Sequence, residues 1–184
     1  MTPSRFQIRQ AAKVIKSQGV ISYPTEAVFG LGCDPLSETA VKKILQLKRR
    51  PVEKGLILIA SNIEQLEALT DLSPDDRNKI SRHSSPVTWL VNKSTLTPLW
   101  ISGRHTKVAI RVSQHPVVQA LCNEVRTAIV STSANPAGLK PASTLLQVRQ
   151  YFPAQLNFYL PGNTGDLQQV TPILDIETTQ TVRG

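Results

Sequence analysis

Lys48 and Arg50 stand at the end of a helix-like segment, just before the turn marked by Pro51. An ammonium and a forked guanidinium projected from one fixed element can neutralise polyphosphate oxygens, above all the charge that develops on a leaving group. The same residue types at a helix C-terminus also answer the negative end of its dipole, so spacing alone leaves both roles open. Ser131-Thr132-Ser133-Ala134-Asn135 places three hydroxyls and an amide where an apolar strand, Ala128-Ile129-Val130, leaves the sheet. That is a place to bind a polar ligand, although Ser/Thr/Asn clusters also serve as turns and caps. Arg111 lies inside Val108-Ala109-Ile110-Arg111-Val112. A buried arginine needs a partner, because an unpaired buried charge costs several kcal/mol; that partner is either a structural carboxylate or a ligand's.

Other chemistries are disfavoured by what the chain lacks. Gly30-x-Gly32 is followed by Pro35, so the dinucleotide pattern G-x-G-x-x-G fails, and the P-loop signature is missing too. An ATP site would be built another way, and the two glycines read as places of close packing. Ser131 and Ser133 do not sit in G-x-S-x-G, and His83, His105 and His115 form no pattern that assigns a partner base. There is no H-E-x-x-H, zinc spacing or EF-hand loop, so no metal is expected on protein side chains. Magnesium carried in with ATP is compatible with this, because it leans on phosphates and water. Cys33 and Cys122, far apart in sequence, read as buried reduced thiols.

Strands and helices alternate around these residues. Apolar positions from Phe6 to Ile15, with Ser4 as N-cap and Gly19 as stop, predict an opening helix. Val20 to Tyr23 predicts a strand ended by Pro24, so that Thr25 and Glu26 begin a loop. Ser37 caps a helix whose Ala40, Val41, Ile44, Leu45 and Leu47 face inward. The continuous apolar run from Gly55 to Ala60 predicts a strand covered on both faces. Asn62–Leu69, Ser73–Ile80, His115–Val125 and Leu145–Phe152 read as helical. Val87–Val91, Val108–Val112, Phe158–Leu160 and Ile173–Ile176 read as strands. The pattern predicts one α/β domain over residues 1–184, with connections short enough to require a mixed sheet.

Composition fits an ordinary globular protein: 40% hydrophobic and 18% charged residues are too apolar for a disordered chain. Twenty-one Lys and Arg against 13 Asp and Glu give a net charge of +8, which favours anionic partners. The start of the chain lacks the basic and apolar regions of a signal peptide, and no apolar run approaches the roughly 18 residues of a membrane helix. These features predict a cytoplasmic protein with no membrane partner.

Taken together, the segments resemble the YrdC/TsaC family from the first helix to the last residues. Tyr23-Pro24-Thr25-Glu26-Ala27-Val28-Phe29-Gly30-Leu31-Gly32-Cys33-Asp34 is similar to the family's opening P-T-[DE]-[TA]-[VY]-[YF]-G-L-G-C signature, and Lys48-Arg49-Arg50-Pro51 to its K-x-R-P. Pro86-Val87-Thr88, Ala109-Ile110-Arg111-Val112, Ser133-Ala134-Asn135, Thr171-Pro172-Ile173-Leu174-Asp175 and Val182-Arg183 resemble further family motifs. The resemblance implies an open, twisted α/β sheet with flanking helices and a basic concave cleft. It implies a nucleotidyltransferase that joins L-threonine, bicarbonate and ATP into threonylcarbamoyl-adenylate, releasing pyrophosphate, for the threonylcarbamoyladenosine modification of transfer RNA by partner proteins. Carried over, Lys48 and Arg50 would hold the phosphates and stabilise the leaving pyrophosphate. Thr88, Ser133, Asn135, Ser143, Thr171 and Arg183 would complete the ATP site, with Mg2+ entering on the nucleotide. Thr25, Arg111 and Ser131 would face threonine.

Two rivals compete with that reading. A basic concave surface also attracts RNA, whether tRNA, double-stranded RNA or a ribosomal precursor, through counterion release. Against this, aromatics are only 5% of the chain and no RRM, KH or dsRBD signature is present. The second rival is a carbamoyl-adenylate-binding domain without synthase activity; the zinc-finger and acylphosphatase-like segments that accompany that use are missing.

Overall fold

A computed structural model describes residues 2–167, 169 and 171–183, the last by its backbone alone. It contains helices α1 (Arg5–Lys16), α2 (Glu38–Lys48), α3 (Pro74–Arg82), α4 (Leu99–Ser102), α5 (Pro116–Val125) and α6 (Leu145–Tyr151). The strands are β1 (Ile21–Pro24), β2 (Phe29–Gly32), β3 (Ile57–Ala60), β4 (Thr88–Asn92), β5 (Lys107–Val112), β6 (Ile129–Ser133), β7 (Phe158–Tyr159), β8 (Ile173–Asp175) and β9 (Thr181–Arg183). Among the described residues they form one sheet in the order β7-β1-β2-β6-β3-β5-β4-β8-β9. It is mixed, as the short connections predict: β1–β7, β3–β5 and β4–β8 are parallel, and the other neighbours antiparallel.

Local chemistry explains the element ends. Ser4 and Gln7 make a reciprocal capping box at α1, as do Ser73 and Asp76 at α3. α2 stops in a Schellman turn: Arg49 takes a left-handed conformation (φ 50°), and Arg50 N–H donates to the Leu45 carbonyl at 2.9 Å. β2 (Phe29–Gly32) and the short α4 (Leu99–Ser102) are elements the sequence pattern does not announce, and two further segments differ from the expectation. Glu64–Leu69 is a 3-10 turn rather than an α-helix; the Asn62 side chain accepts from Gln65 N–H and bends the chain at its start. β9, too short to show a period, pairs with β8 and lengthens the sheet edge.

Side-chain alternation gives the sheet two different faces. On one, Phe29, Leu31, Leu58, Ala60, Trp89, Val91, Val108, Ile110 and Val130 pack with the buried residues of α2, α3 and α6. On the other, Ile21, Tyr23, Ile59 and Ile129 lie under α1 and α5, against Ile8, Ile15, Val118 and Leu121. Leu58 and Ile59, both wholly buried, show the double coverage of β3 that its apolar run predicts. α1 and α5 cover only part of their face. By register, Ser131 and Ser133 on β6, Ile57 on β3 and Lys107, Ala109 and Arg111 on β5 share that face beyond the helices.

Candidate functional site

The uncovered part of this face is the floor of a cavity of about 910 Å³. That is the upper end of the range for small-molecule sites, and large enough for a nucleotide beside a small second ligand. Seven of the described Lys and Arg residues line it: Lys48, Arg49, Arg50, Lys54, Arg104, Lys107 and Arg111. Among the described lining residues there is no Asp or Glu. In such a basin the fields of the cations add, so polyanions are favoured strongly.

One end is built where α2 meets β6. Lys48 follows the inward phase of Val41 and Ile44 and is itself buried. Its ammonium donates to the carbonyl oxygens of Ser133 and of Asn135, the latter at 2.9 Å, while Ala137 N–H donates to the Lys48 carbonyl at 2.9 Å. Helix end and hydroxyl loop therefore hold each other. Lys48 points into the site, not back onto its own helix carbonyls, so the dipole role does not describe it. Burial and, second, the nearby Arg50 charge pull its pKa down to about 8. Arg50 is steered by the carbonyls of Gly55 and Lys54, at 3.0 and 3.2 Å. The turn bearing Gly55 packs against Gly103 (φ 61°), where a Cβ would come within 2.4 Å of the Glu53 carbonyl oxygen, so only glycine lets these two wall segments touch.

The other end centres on Arg111. The carboxylate that sequence left undecided is Glu26: Arg111 Nη1 lies 3.4 Å from its Oε2, and both side chains are largely buried. Arg111 Nε and Nη2 also donate to Thr88 Oγ1, at 3.0 and 2.8 Å. Glu26 belongs to the β1–β2 loop, three to four strand spacings from β5, roughly 14–19 Å on a flat sheet. Direct contact therefore requires the loop to fold across a concave face. Beside it, the Thr25 hydroxyl donates to the Val28 carbonyl at 2.7 Å, shaping the loop while keeping its lone pairs available. Tyr23 packs its ring over Gly30 and Gly32; a Cβ on Gly32 would meet Tyr23 Cε1 at 2.7 Å. This is the close approach predicted for those glycines.

Of the residues singled out in sequence, Thr25, Lys48, Arg50, Arg111, Ser131, Ser133, Asn135 and Thr171 all line this one cavity. Thr88 stands behind the wall: it is wholly buried, and its hydroxyl is shared by Arg111 and by Thr171, 3.1 Å away. Ser143 lies off the cavity at the start of α6, with its hydroxyl 3.1 Å from Gln147 Oε1. The Arg183 side chain lies outside the described residues. Asn135 turns its amide NH2 to the carbonyls of Leu139 and Pro136, bracing its own loop. Pro172, just before β8, accepts from Thr88 N–H at 3.0 Å through its carbonyl. Sequence reasoning missed Lys54, Arg104 and Lys107. Lys107 alone carried a signal, being four residues before Arg111 on the same strand face; it pairs with Asp175 and Glu177, at 2.7 and 3.1 Å.

No group of three or more His, Cys, Asp and Glu side chains is placed to hold a metal among the described residues. No helix among them is long and apolar enough to cross a membrane. Cys33 and Cys122 are buried and unpaired with each other.

The chain is 50% identical over 184 residues to a threonylcarbamoyl-AMP synthase of Pseudomonas putida, covering 98% of each chain. A Marinobacter nauticus threonylcarbamoyl-AMP synthase is 45% identical over 185 residues, covering 99% of this chain and 97% of that one. Among solved structures, P. abyssi Sua5 complexed with L-threonine superposes with a TM-score of 0.87 at 29% identity, over 94% of this chain and 51% of that one. This chain thus spans about half the length of that Sua5. E. coli YciO, at 22% identity, shares the fold with a TM-score of 0.86 over 99% of this chain and 90% of its own. The model of the Sua5, YciO and YrdC proteins, described as "Telomere recombination", matches residues 13–183. On sequence over nearly its whole length, and on a fold that gathers the family's motif residues around one cavity, this chain belongs to the Sua5/YciO/YrdC family.

Proposed function

We propose that this chain is a threonylcarbamoyl-AMP synthase acting in the threonylcarbamoyladenosine modification of tRNA. The observation that carries the reading is one cleft lined both by Lys48 and Arg50, cations suited to a polyphosphate, and by Arg111, Thr25 and Ser131, groups suited to an amino acid. The P. abyssi Sua5 complex with L-threonine and the two curated synthases support the choice of substrates.

In this reading the threonine carboxylate pairs with Arg111, whose plane is already set by Thr88 and Glu26. The threonine amine takes up bicarbonate with loss of water to give a carbamate. A carbamate oxygen then attacks the α-phosphorus of ATP, the bond to the bridging oxygen breaks, and pyrophosphate leaves toward Lys48 and Arg50. Catalysis consists of positioning and charge stabilisation, and the two cations act where negative charge grows. With no carboxylate on the described wall, Mg2+ would enter on the triphosphate, hold to its oxygens and waters, and lower the charge the cleft must balance.

The test is pyrophosphate release with ATP, threonine and bicarbonate, each omitted in turn. Release that requires all three supports the reading; ATP cleavage indifferent to threonine would refute it.

A further inference from the structure

Glu26 is the acid buried beside a basin of cations, and phosphate chemistry gives no reason for it. Its two carboxylate oxygens accept from two different groups beyond its own loop: Ser113 Oγ donates to Oε1, and Arg111 Nη1 approaches Oε2 at 3.4 Å. Ser113 is itself fixed, accepting the His115 backbone N–H at 3.1 Å. On its opposite edge the Arg111 guanidinium is held through Nε and Nη2 by Thr88 Oγ1. A planar group gripped at both edges has its plane and its reach fixed.

The backbone carrying Glu26 is pinned as well. Gly165 N–H donates to the Thr25 carbonyl at 2.9 Å and Leu167 N–H to the Glu26 carbonyl at 3.2 Å. Gly165 passes so close that a Cβ there would lie 2.7 Å from the Glu26 carbonyl oxygen and 3.2 Å from its Cα. The β1–β2 loop therefore carries Thr25 on the cavity wall and, one residue on, the acid that ties that loop to Arg111 on β5.

We propose that Glu26 is a positioning residue for the small-substrate end of the cleft: it sets the guanidinium plane of Arg111 and its distance from Thr25. This rests on the reading of that end as the threonine subsite. Glu26 touches no substrate itself; it makes two substrate-facing groups from distant strands into one rigid receptor for an α-amino carboxylate.

The experiment is steady-state kinetics and calorimetric threonine binding on wild type, Glu26→Ala, Glu26→Gln and Gly165→Ala, each checked for a cooperative thermal melt. Glu26→Ala, which frees one edge of the guanidinium, should raise the threonine KM by about tenfold or more. The ATP KM should stay within about twofold, the mark of a local loss of binding. Glu26→Gln keeps an oxygen for Arg111 and an NH2 for Ser113, so it should stay within about threefold of wild type for threonine. Gly165→Ala leaves every charge in place but displaces the Glu26 backbone, and should raise the threonine KM in the same direction. Equal changes in both KM values, an unchanged threonine KM in Glu26→Ala, or a Gln variant as impaired as the Ala variant would overturn the proposal. If Glu26→Ala does not fold, a folded Gly165→Ala with wild-type threonine binding overturns it alone. A wild-type protein that neither binds nor turns over threonine refutes the functional reading and the inference with it; normal wild-type turnover beside an indifferent Glu26→Ala refutes only the inference.

Discussion

Raising the pH from 7 to 9 should weaken ATP binding to the free protein, and Lys48 is the group responsible. Burial and the neighbouring Arg50 charge lower its pKa from 10.5 to about 8. The ammonium must carry its charge to meet a phosphate, so only the protonated fraction is competent. At pH 9 that fraction is about one-tenth, and the apparent affinity falls by about the same factor, or roughly 1.4 kcal/mol. A bound triphosphate holds the proton on, so binding at pH 8 should draw about half a proton from solution. Calorimetry in two buffers of different ionisation enthalpy measures that uptake directly. The γ-phosphate contributes little at pH 8, because a phosphate ester with a second pKa of about 6 is almost wholly ionised there. Lys48→Met should abolish both the uptake and the pH dependence. Affinity that is flat from pH 7 to 9 with no proton uptake would exclude Lys48 as a phosphate-binding group that titrates near 8. The same lowered pKa has a stability consequence of fixed sign. The unfolded chain holds this proton up to 10.5 and the folded one only to about 8, so Lys48 costs roughly 3 kcal/mol below pH 8. The cost is relieved as pH rises from 8 toward 10.5; because Lys48→Met also leaves the Ser133 and Asn135 carbonyls without their donor, the readout is the stability difference between wild type and Lys48→Met, which should shift in favour of wild type between pH 8 and 10.5.

Arg50→Ala should lower kcat by roughly a hundredfold with little change in the ATP KM if it stabilises the leaving pyrophosphate; a raised ATP KM at unchanged kcat would place it in ground-state binding. Gly32→Ala drives a Cβ into Tyr23 Cε1 and the Val130 carbonyl, at 2.7 and 2.9 Å, and should cost about 1–3 kcal/mol in urea unfolding. Arg49→Gly relieves the left-handed conformation at the end of α2 and should add roughly 1 kcal/mol, read as a melting temperature higher by about 2–4 °C. Asp175 is held below the usual carboxylate range, chiefly by the hydrogen bond from Lys107. Its stabilisation is present above the normal carboxylate pKa and is lost as pH falls through the lowered value. Asp175→Asn should therefore destabilise at pH 7 by at most about 1 kcal/mol for this partly exposed pair, and by less at acid pH.

Much of this was legible in the chain because it rests on local periodicity. The alternation through Val108 to Val112 places Arg111 opposite the core-facing Val108 and Ile110. The continuous run from Gly55 to Ala60 announces the doubly covered centre. Carrying the helical phase one turn further, from Val41 and Ile44 to Lys48, would also have shown that this lysine is buried. The contacts that make the site were not legible in that way. Glu26 meets Arg111 only because a loop reaches across three to four strand spacings of a curved sheet, and no spacing in sequence encodes that curvature. Lys54 and Arg104 come from irregular wall segments whose approach depends on Gly103, so their charge had no period to reveal its direction. Thr88 shows the remaining limit: a motif places a residue near the site, but packing decides whether it faces the ligand or holds the residue that does.

The most direct test of the synthase reading is mass spectrometry of the product formed from ATP, threonine and 13C-bicarbonate. A synthase yields a threonylcarbamoyl-adenylate heavier by a single mass unit than the unlabelled product, with one pyrophosphate per molecule formed. Pyrophosphate without labelled adenylate, or ADP and phosphate in its place, would contradict the synthase reading.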